Sequence, residues 1–196
     1  MNAPIRLVVG LGNPGREHEA TRHNAGFWFV DALAHEQHAT FANEARFFGT
    51  LAKVDGGVRL LKPTTFMNLS GRAAQAVQAF YAIAPEAMLV VHDELDVPPG
   101  EARLKFGGGV AGHNGLKDLR AQLATADFWR LRLGIGHPRD SVFPQQPPAD
   151  YVLRPPSSSE KDAIDQAIKR SLDVWPALVA GDFERAMTSL HTKDAK

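Results

Sequence analysis

The stretch IRLVVGLGNPGREHEATRHNAGFWFVDALAH, residues 5–35, decides the fold class. Residues 5–9 are a short apolar run that reads as a buried strand, and a polar, glycine-bearing loop follows over 10–26. Phe27, Val30, Asp31 and Ala34 then recur at helical spacing. Strand, loop and helix in that order open an α/β sheet, in which loops at strand ends face a ligand.

Three more polar, glycine-containing stretches each follow a run that reads as a strand: PTTFMNLSG (63–71), HDELDVPPG (92–100) and GGGVAGHNGLKD (107–118). All four loops are therefore expected at strand ends. Between them, residues 47–54 and 58–61 predict a hairpin turning at Asp55, Gly56 and Gly57, and residues 69–82 predict a helix. Residues 88–91, 102–106 and 129–135 read as strands and 116–123 as a helix. Residues 137–159, rich in Pro, Ser and Gln, predict an irregular loop. Ser157 with Glu160 predicts a capping box opening a helix whose Ala163, Ile164, Ala167, Ile168 and Leu172 share one face. Trp175-Pro176 ends or kinks it, and Gly181 sets off a last helix reaching Leu190.

With 196 residues, 44% hydrophobic, the chain supports one substantial core, so a single domain over 1–196 is expected. Zero cysteines exclude a disulfide scaffold, a Cys nucleophile and thiolate zinc sites. The N-terminal MNAPIRLVV lacks the pattern of a signal peptide, and no run of about 18 apolar residues occurs, so a soluble, cytoplasmic protein is expected. A formal net charge of zero argues against a general nucleic-acid coat but leaves room for a local basic patch.

Several candidate chemistries coexist. Gly10, Gly12 and Gly15 satisfy G-x-G-x-x-G after a strand, yet the acidic residue required about 20 positions on, at the end of a second strand, has only Asp31 to supply it, inside the expected helix. His23 is either a structural histidine or, with Asp93, a base, because a carboxylate holding one imidazole nitrogen as donor frees the other to accept a proton. Asn68 and Asn114 sit where helices begin and suit N-caps; as ligands, these amides and that of Asn13 suit a peptide backbone or ester carbonyl. Asp93, Glu94 and Asp96 are Mg²⁺ ligands or a solvated loop, while His35 and His38 lack the H-E-x-x-H spacing. No G-x-S-x-G elbow exists, and Ser70 reads as a helix start. Arg22, Lys105, Lys117, Arg120, Arg130 and Arg132 form a solvated face, or Lys105 and Arg132 flank the site and receive phosphate. Phe66 and Met67 are core plugs or an apolar seat for substrate.

The elements GLGNPG (10–15), TRHNAG (21–26), PTTFMNLSG, HDELDVPPG, GGGVAGHNGLKD and RLRLGIGHP (130–138), in this order and spacing, make the chain resemble bacterial peptidyl-tRNA hydrolase over essentially its whole length. The resemblance implies one α/β domain with a twisted, mostly parallel mixed sheet flanked by helices, acting as a monomer without metal or cofactor. It implies hydrolysis of the ester joining a peptide, or an N-blocked amino acid, to the terminal ribose of tRNA, by direct attack of water. His23 is then the general base and Asp93 the carboxylate that holds it, while Asn13 positions the ester and separates N-blocked from free aminoacyl substrates. Asn68 and Asn114 bind the acyl and peptide end, Phe66 and Met67 line the channel, His113 stands at its edge, and Lys105 and Arg132 meet tRNA phosphate. One position departs: His18 stands where the family has Tyr in N-P-G-x-x-Y, which leaves that tRNA contact open. A non-catalytic RNA-binding module and a dinucleotide-dependent oxidoreductase are the readings from other classes.

Overall fold

The strand β1 (Leu7–Gly10) is buried at every residue, as a strand covered by helices on both faces must be. In the computed structural model, which describes residues 2–192, it lies at the middle of a sheet whose order is β2-β3-β4-β1-β5-β7-β6. The other strands are β2 (Ala42–Glu44), β3 (Gly49–Lys53), β4 (Arg59–Pro63), β5 (Met88–Glu94), β6 (Ala102–Phe106) and β7 (Trp129–Gly134). Strands β4, β1, β5 and β7 pair in parallel, and antiparallel pairing is confined to the two edges. Only β3 and β6 oppose the common direction, so the sheet is mixed and mostly parallel in sense. Residue 1 and residues 193–196, the ends of the expected 1–196 domain, lie outside the described residues.

Alternation along the strands divides the core. Val8, Leu60, Leu89, Val91, Leu131 and Leu133 point to the layer made by α1 (Ala25–Glu36), α5 (Ser158–Asp173), α6 (Trp175–Val179) and α7 (Phe183–His191). Leu7, Val9, Leu61, Met88 and Val90 point to α2 (Ser70–Phe80) and α3 (Asn114–Leu123). The capping box forms as expected: Ser157 Oγ accepts from Glu160 N–H at 3.2 Å and Glu160 Oε1 from Ser157 N–H at 3.0 Å. Among the described residues no helix is long and apolar enough to cross a membrane.

Four sequence expectations change. The edge strand β2, sequence ANE, has no apolar alternation and was invisible to periodicity. Strand β5 runs on to Glu94, so His92 and Asp93 are strand residues rather than loop residues. The irregular loop over 137–159 contains a short helix, α4 (Pro148–Val152), started by a proline that needs no N–H partner there. Finally, β6 runs antiparallel to β7 with Phe106 opposite Trp129, so the glycine loop after β6 leaves the sheet at the end opposite the other three loops. The buried guanidinium of Arg130 tethers the start of this loop, donating from Nη1 to Gly109 O at 2.7 Å, and its far part returns to the other end, where His113 Nε2 lies 2.9 Å from Asp93 Oδ1.

Helix α1 approaches the sheet backbone to backbone. A Cβ on Gly26 would lie 2.3 Å from Val91 O and 2.5 Å from Leu11 N, both atoms of the sheet framework that cannot swing away. Gly26→Ala is therefore expected to destabilise the protein by at least about 1–3 kcal/mol, the usual range for overpacking. Urea melts of the two proteins measure it, and equal midpoints would contradict this packing.

Candidate active site

His23 is carried by a 3-10 turn, Arg22–Asn24, between the first loop and α1. The turn is pinned by the two asparagines: Asn13 N–H donates to Asn24 Oδ1 at 2.8 Å and Asn24 Nδ2 donates to Asn13 O at 3.0 Å. From sequence Asn24 is noted only as the amide beside His23, with no role of its own. The second loop is tied in by Met67 N–H, which donates to Asn13 Oδ1 at 2.7 Å. With its oxygen committed, the Asn13 carboxamide keeps its NH₂ as the end able to donate to a ligand.

Asp93, buried near the end of β5, receives two imidazoles. His23 Nδ1 lies 2.9 Å from Oδ2 and 3.0 Å from Oδ1, and His113 Nε2 lies 2.9 Å from Oδ1. Burial works against the charge on Asp93, but the two histidines outweigh it and hold the carboxyl well below its ordinary range. For His23, burial opposes the cation while the charge and hydrogen bond of Asp93 win, so its pKa is raised. With Nδ1–H given to Asp93, Nε2 is the nitrogen left to take a proton.

His113, expected at the edge of a channel, is thus a second donor to the carboxylate. Its tautomer is set from the other side, because Nδ1 accepts from Leu116 N–H at 3.3 Å and caps α3. Neither asparagine takes the capping role: α2 starts without a side-chain cap, and Asn114 is the first residue of α3 with His113 as its cap. A third imidazole, His92, is fully buried, directs Nδ1 to Asp93 O at 2.9 Å, and has its pKa pushed down to about 3, by burial first and the neighbouring His113 second.

His23, Asp93 and His113 are a group whose donor atoms lie within 4.8 Å of one another and could in principle ligate a metal. Both facing nitrogens are already donors to Asp93, and a metal on His113 Nε2 would force a proton onto Nδ1 against the Leu116 N–H. The acidic loop is likewise dispersed. Glu94 sits 3.9 Å from Arg132 and Asp96 3.9 Å from Arg139, each carboxylate facing a different arginine.

The glycine fingerprint has a packing role. A Cβ on Gly12 would meet the Phe27 ring at 2.7 Å, and Asp31, on α1, pairs with Lys62 at 2.6 Å instead of ending a second strand. With Asp31 on a helix, the acidic position that the dinucleotide fingerprint requires at the end of a second strand is missing, so that reading is not favoured.

A cleft of about 340 Å³ opens over the cluster, lined by His23, Asp93, His113, Asn114, His137 and Val152 among others. Asn114 and Asn68 are exposed, and Phe66 is 61% exposed. Met67 is buried, with its sulfur near Gly115 and Ser70, so it supports the loop from below and reaches the site through its N–H. His18 is half-buried on a 3-10 turn, 3.8 Å from Glu17, and is not part of the cleft lining.

The basic residues separate into two sets. Arg22 and Arg130 are buried and bound to backbone carbonyls, which removes them from the expected solvated face. In the β6–β7 register Lys105 stands opposite Arg130 and Arg103 opposite Arg132, so these side chains share one face of the edge pair. Arg103 was missed because its partner in the sheet is distant in sequence.

The chain matches the family model described as peptidyl-tRNA hydrolase over residues 7–196. It is 57% identical over 195 residues to peptidyl-tRNA hydrolase of Bordetella avium, covering 98% of this chain and 94% of that protein. Against the enzyme of Neisseria meningitidis it is 54% identical over 196 residues, covering 98% and 100%. Among solved structures, peptidyl-tRNA hydrolase from Acinetobacter baumannii superposes with a TM-score of 0.90 at 45% identity, covering 97% of this chain and 96% of that one. A peptidyl-tRNA hydrolase crystallised with N-propanol gives a TM-score of 0.90 at 46% identity, covering 97% of both.

Proposed function

Because the chain belongs to the peptidyl-tRNA hydrolase family, we propose that the cleft over His23 is where its ester hydrolysis takes place. The protein is a hydrolase acting on peptidyl-tRNA, cleaving the ester between the peptide and the terminal ribose. The observation that carries the site assignment is the 2.9 Å contact between His23 Nδ1 and the buried Asp93, on a histidine that lines an open cleft.

In this mechanism His23 Nε2 takes a proton from water as the water oxygen attacks the ester carbonyl. Asp93 keeps the imidazole in the accepting tautomer and stabilises the cation that forms, and His113 steadies Asp93 with its second hydrogen bond. The NH₂ of Asn13 donates to the carbonyl oxygen as it gains negative charge. When the tetrahedral species collapses, the bond to the ribose oxygen breaks and that oxygen takes the proton from His23, which restores the base. No covalent enzyme intermediate forms.

Asn68 and Asn114 bind the peptide backbone, and the exposed Phe66 offers an apolar seat beside them. Lys105 and Arg132, with Arg103 adjacent, meet tRNA phosphates, and His18 takes the place of the family's Tyr as an outer tRNA contact. The protein acts as a cytoplasmic monomer without metal. Turnover of N-acetyl-aminoacyl-tRNA beside free aminoacyl-tRNA tests the reading: cleavage of the first alone is expected, and equal cleavage would contradict the role of Asn13.

The basic face makes a separate prediction. Counterion release makes polyanion binding salt-dependent, with a slope set by the number of phosphates met. Lys105→Ala and Arg132→Ala should each flatten the salt dependence of KM and raise KM more than they lower kcat. Unchanged KM across salt in both variants would make these side chains ordinary surface.

A further inference from the structure

Arg22 stands immediately before His23, and the sequence offers it only as one of a set of cations on a solvated face. Its surroundings are of another kind. It is 7% exposed, and its guanidinium lies 3.8 Å above the Tyr151 ring. Nη1 donates to Tyr151 O at 3.0 Å and Arg154 O at 3.3 Å, and Nη2 lies 3.4 Å from Glu160 Oε1. Its own backbone N–H donates to Arg154 O at 3.1 Å. Two of the groups it holds are anchored further: Tyr151 Oη donates to Ile135 O at 2.9 Å just beyond β7, and Glu160 Oε1 also closes the capping box of α5.

These contacts join three separate parts of the chain to the turn that carries His23. One of them, α4, supplies Pro148, Ala149 and Val152 to the wall of the catalytic cleft. A phosphate ligand needs an accessible guanidinium edge, whereas both terminal nitrogens of this one face internal carbonyls and a carboxylate, and its Nε is buried without a partner. We infer that Arg22 is a positioning residue, which locks the α4 wall to the His23 turn so that the cleft and the His23–Asp93 hydrogen bond are set together. The inference rests on the reading of His23 as the base.

Arg22→Lys tests it, because lysine keeps the charge but cannot donate to both carbonyls and the carboxylate while stacking on Tyr151. The expected result is a kcat on N-acetyl-aminoacyl-tRNA lowered about 10- to 10²-fold, the effect of sub-ångström to ångström misplacement, with KM within about twofold. Rates are taken per folded molecule, from the folded fraction given by circular dichroism, and Arg22→Gln should lose at least as much. Proton NMR adds a direct readout: the downfield His23 Nδ1–H resonance, identified by its absence in His23→Ala, should shift or broaden in Arg22→Lys, while the His113 Nε2–H resonance stays. Wild-type kcat per folded molecule, or a raised KM with kcat intact, would overturn the inference, the latter by making Arg22 a tRNA contact. An unmoved His23 resonance would overturn it as well. Retained turnover in His23→Ala would remove the base reading itself, and is measured separately from any effect at Arg22.

Discussion

His23→Ala is expected to lose about 10² to 10⁴ in kcat, the range that positioned general acid–base groups supply, while KM for tRNA substrates stays near the wild-type value. The split follows from the layout. In the proposed mechanism the imidazole acts on water inside the cleft that His23 and Asp93 line, whereas the basic face of β6 and β7, proposed to meet phosphate, contains no part of that pair. Single-turnover rates on N-acetyl-aminoacyl-tRNA check it, and a variant that keeps wild-type turnover would sink the mechanism. The pH profile carries a sign. A base must be neutral to accept a proton, so activity is present above the His23 pKa and is lost as pH falls through it. Because Asp93 raises that pKa, the acid limb of kcat/KM should lie above the ordinary histidine value of about 6.5.

Asp93→Asn is the second large effect, somewhat smaller than the loss at His23 but still on the order of 10²-fold or more. A carboxylate can accept from both imidazoles, as it does here at 2.9 Å each. A carboxamide presents one oxygen and one NH₂, so one of the two N–H donors must face another donor or turn away. Either His23 leaves its accepting tautomer or His113 gives up its link to the carboxylate. With the negative charge gone, the His23 cation is less favoured, so the acid limb should also move to lower pH. A variant that retains the wild-type limb would show that some other group sets the titration.

The sequence alone was enough for the layered architecture. Short apolar runs such as LVV at 7–9 and MLVV at 88–91, bounded by polar loops, read as strands with both faces covered, and the capping box at Ser157 is a local contract between residues three apart. Local chemistry also named His23 and Asp93 as candidates, since each sits in a glycine-bounded polar segment beside a strand. Its reach ended where partners are distant in the chain. The resemblance placed His113 at the edge of the channel, because the sequence does not show which carboxylate a loop residue meets, yet the return of the loop from the opposite end of the sheet sets it on Asp93.

Arg22 and Arg130 make the same point from the side of charge. In sequence they look identical to Lys105 and Arg132, since a cationic side chain carries no mark of its partner. Only the packed structure buries Arg22 on Tyr151 and Arg130 on Gly109 O while leaving Lys105 exposed beside Arg130. Residue type and spacing therefore determined most of the elements, though not β2 or α4, together with the family resemblance and the reactive candidates. Which groups share one carboxylate, which cations are spent on internal carbonyls and which asparagines are free of capping duty were decided by strand register and loop return, because desolvation and hydrogen-bond geometry depend on neighbours that only tertiary structure brings together.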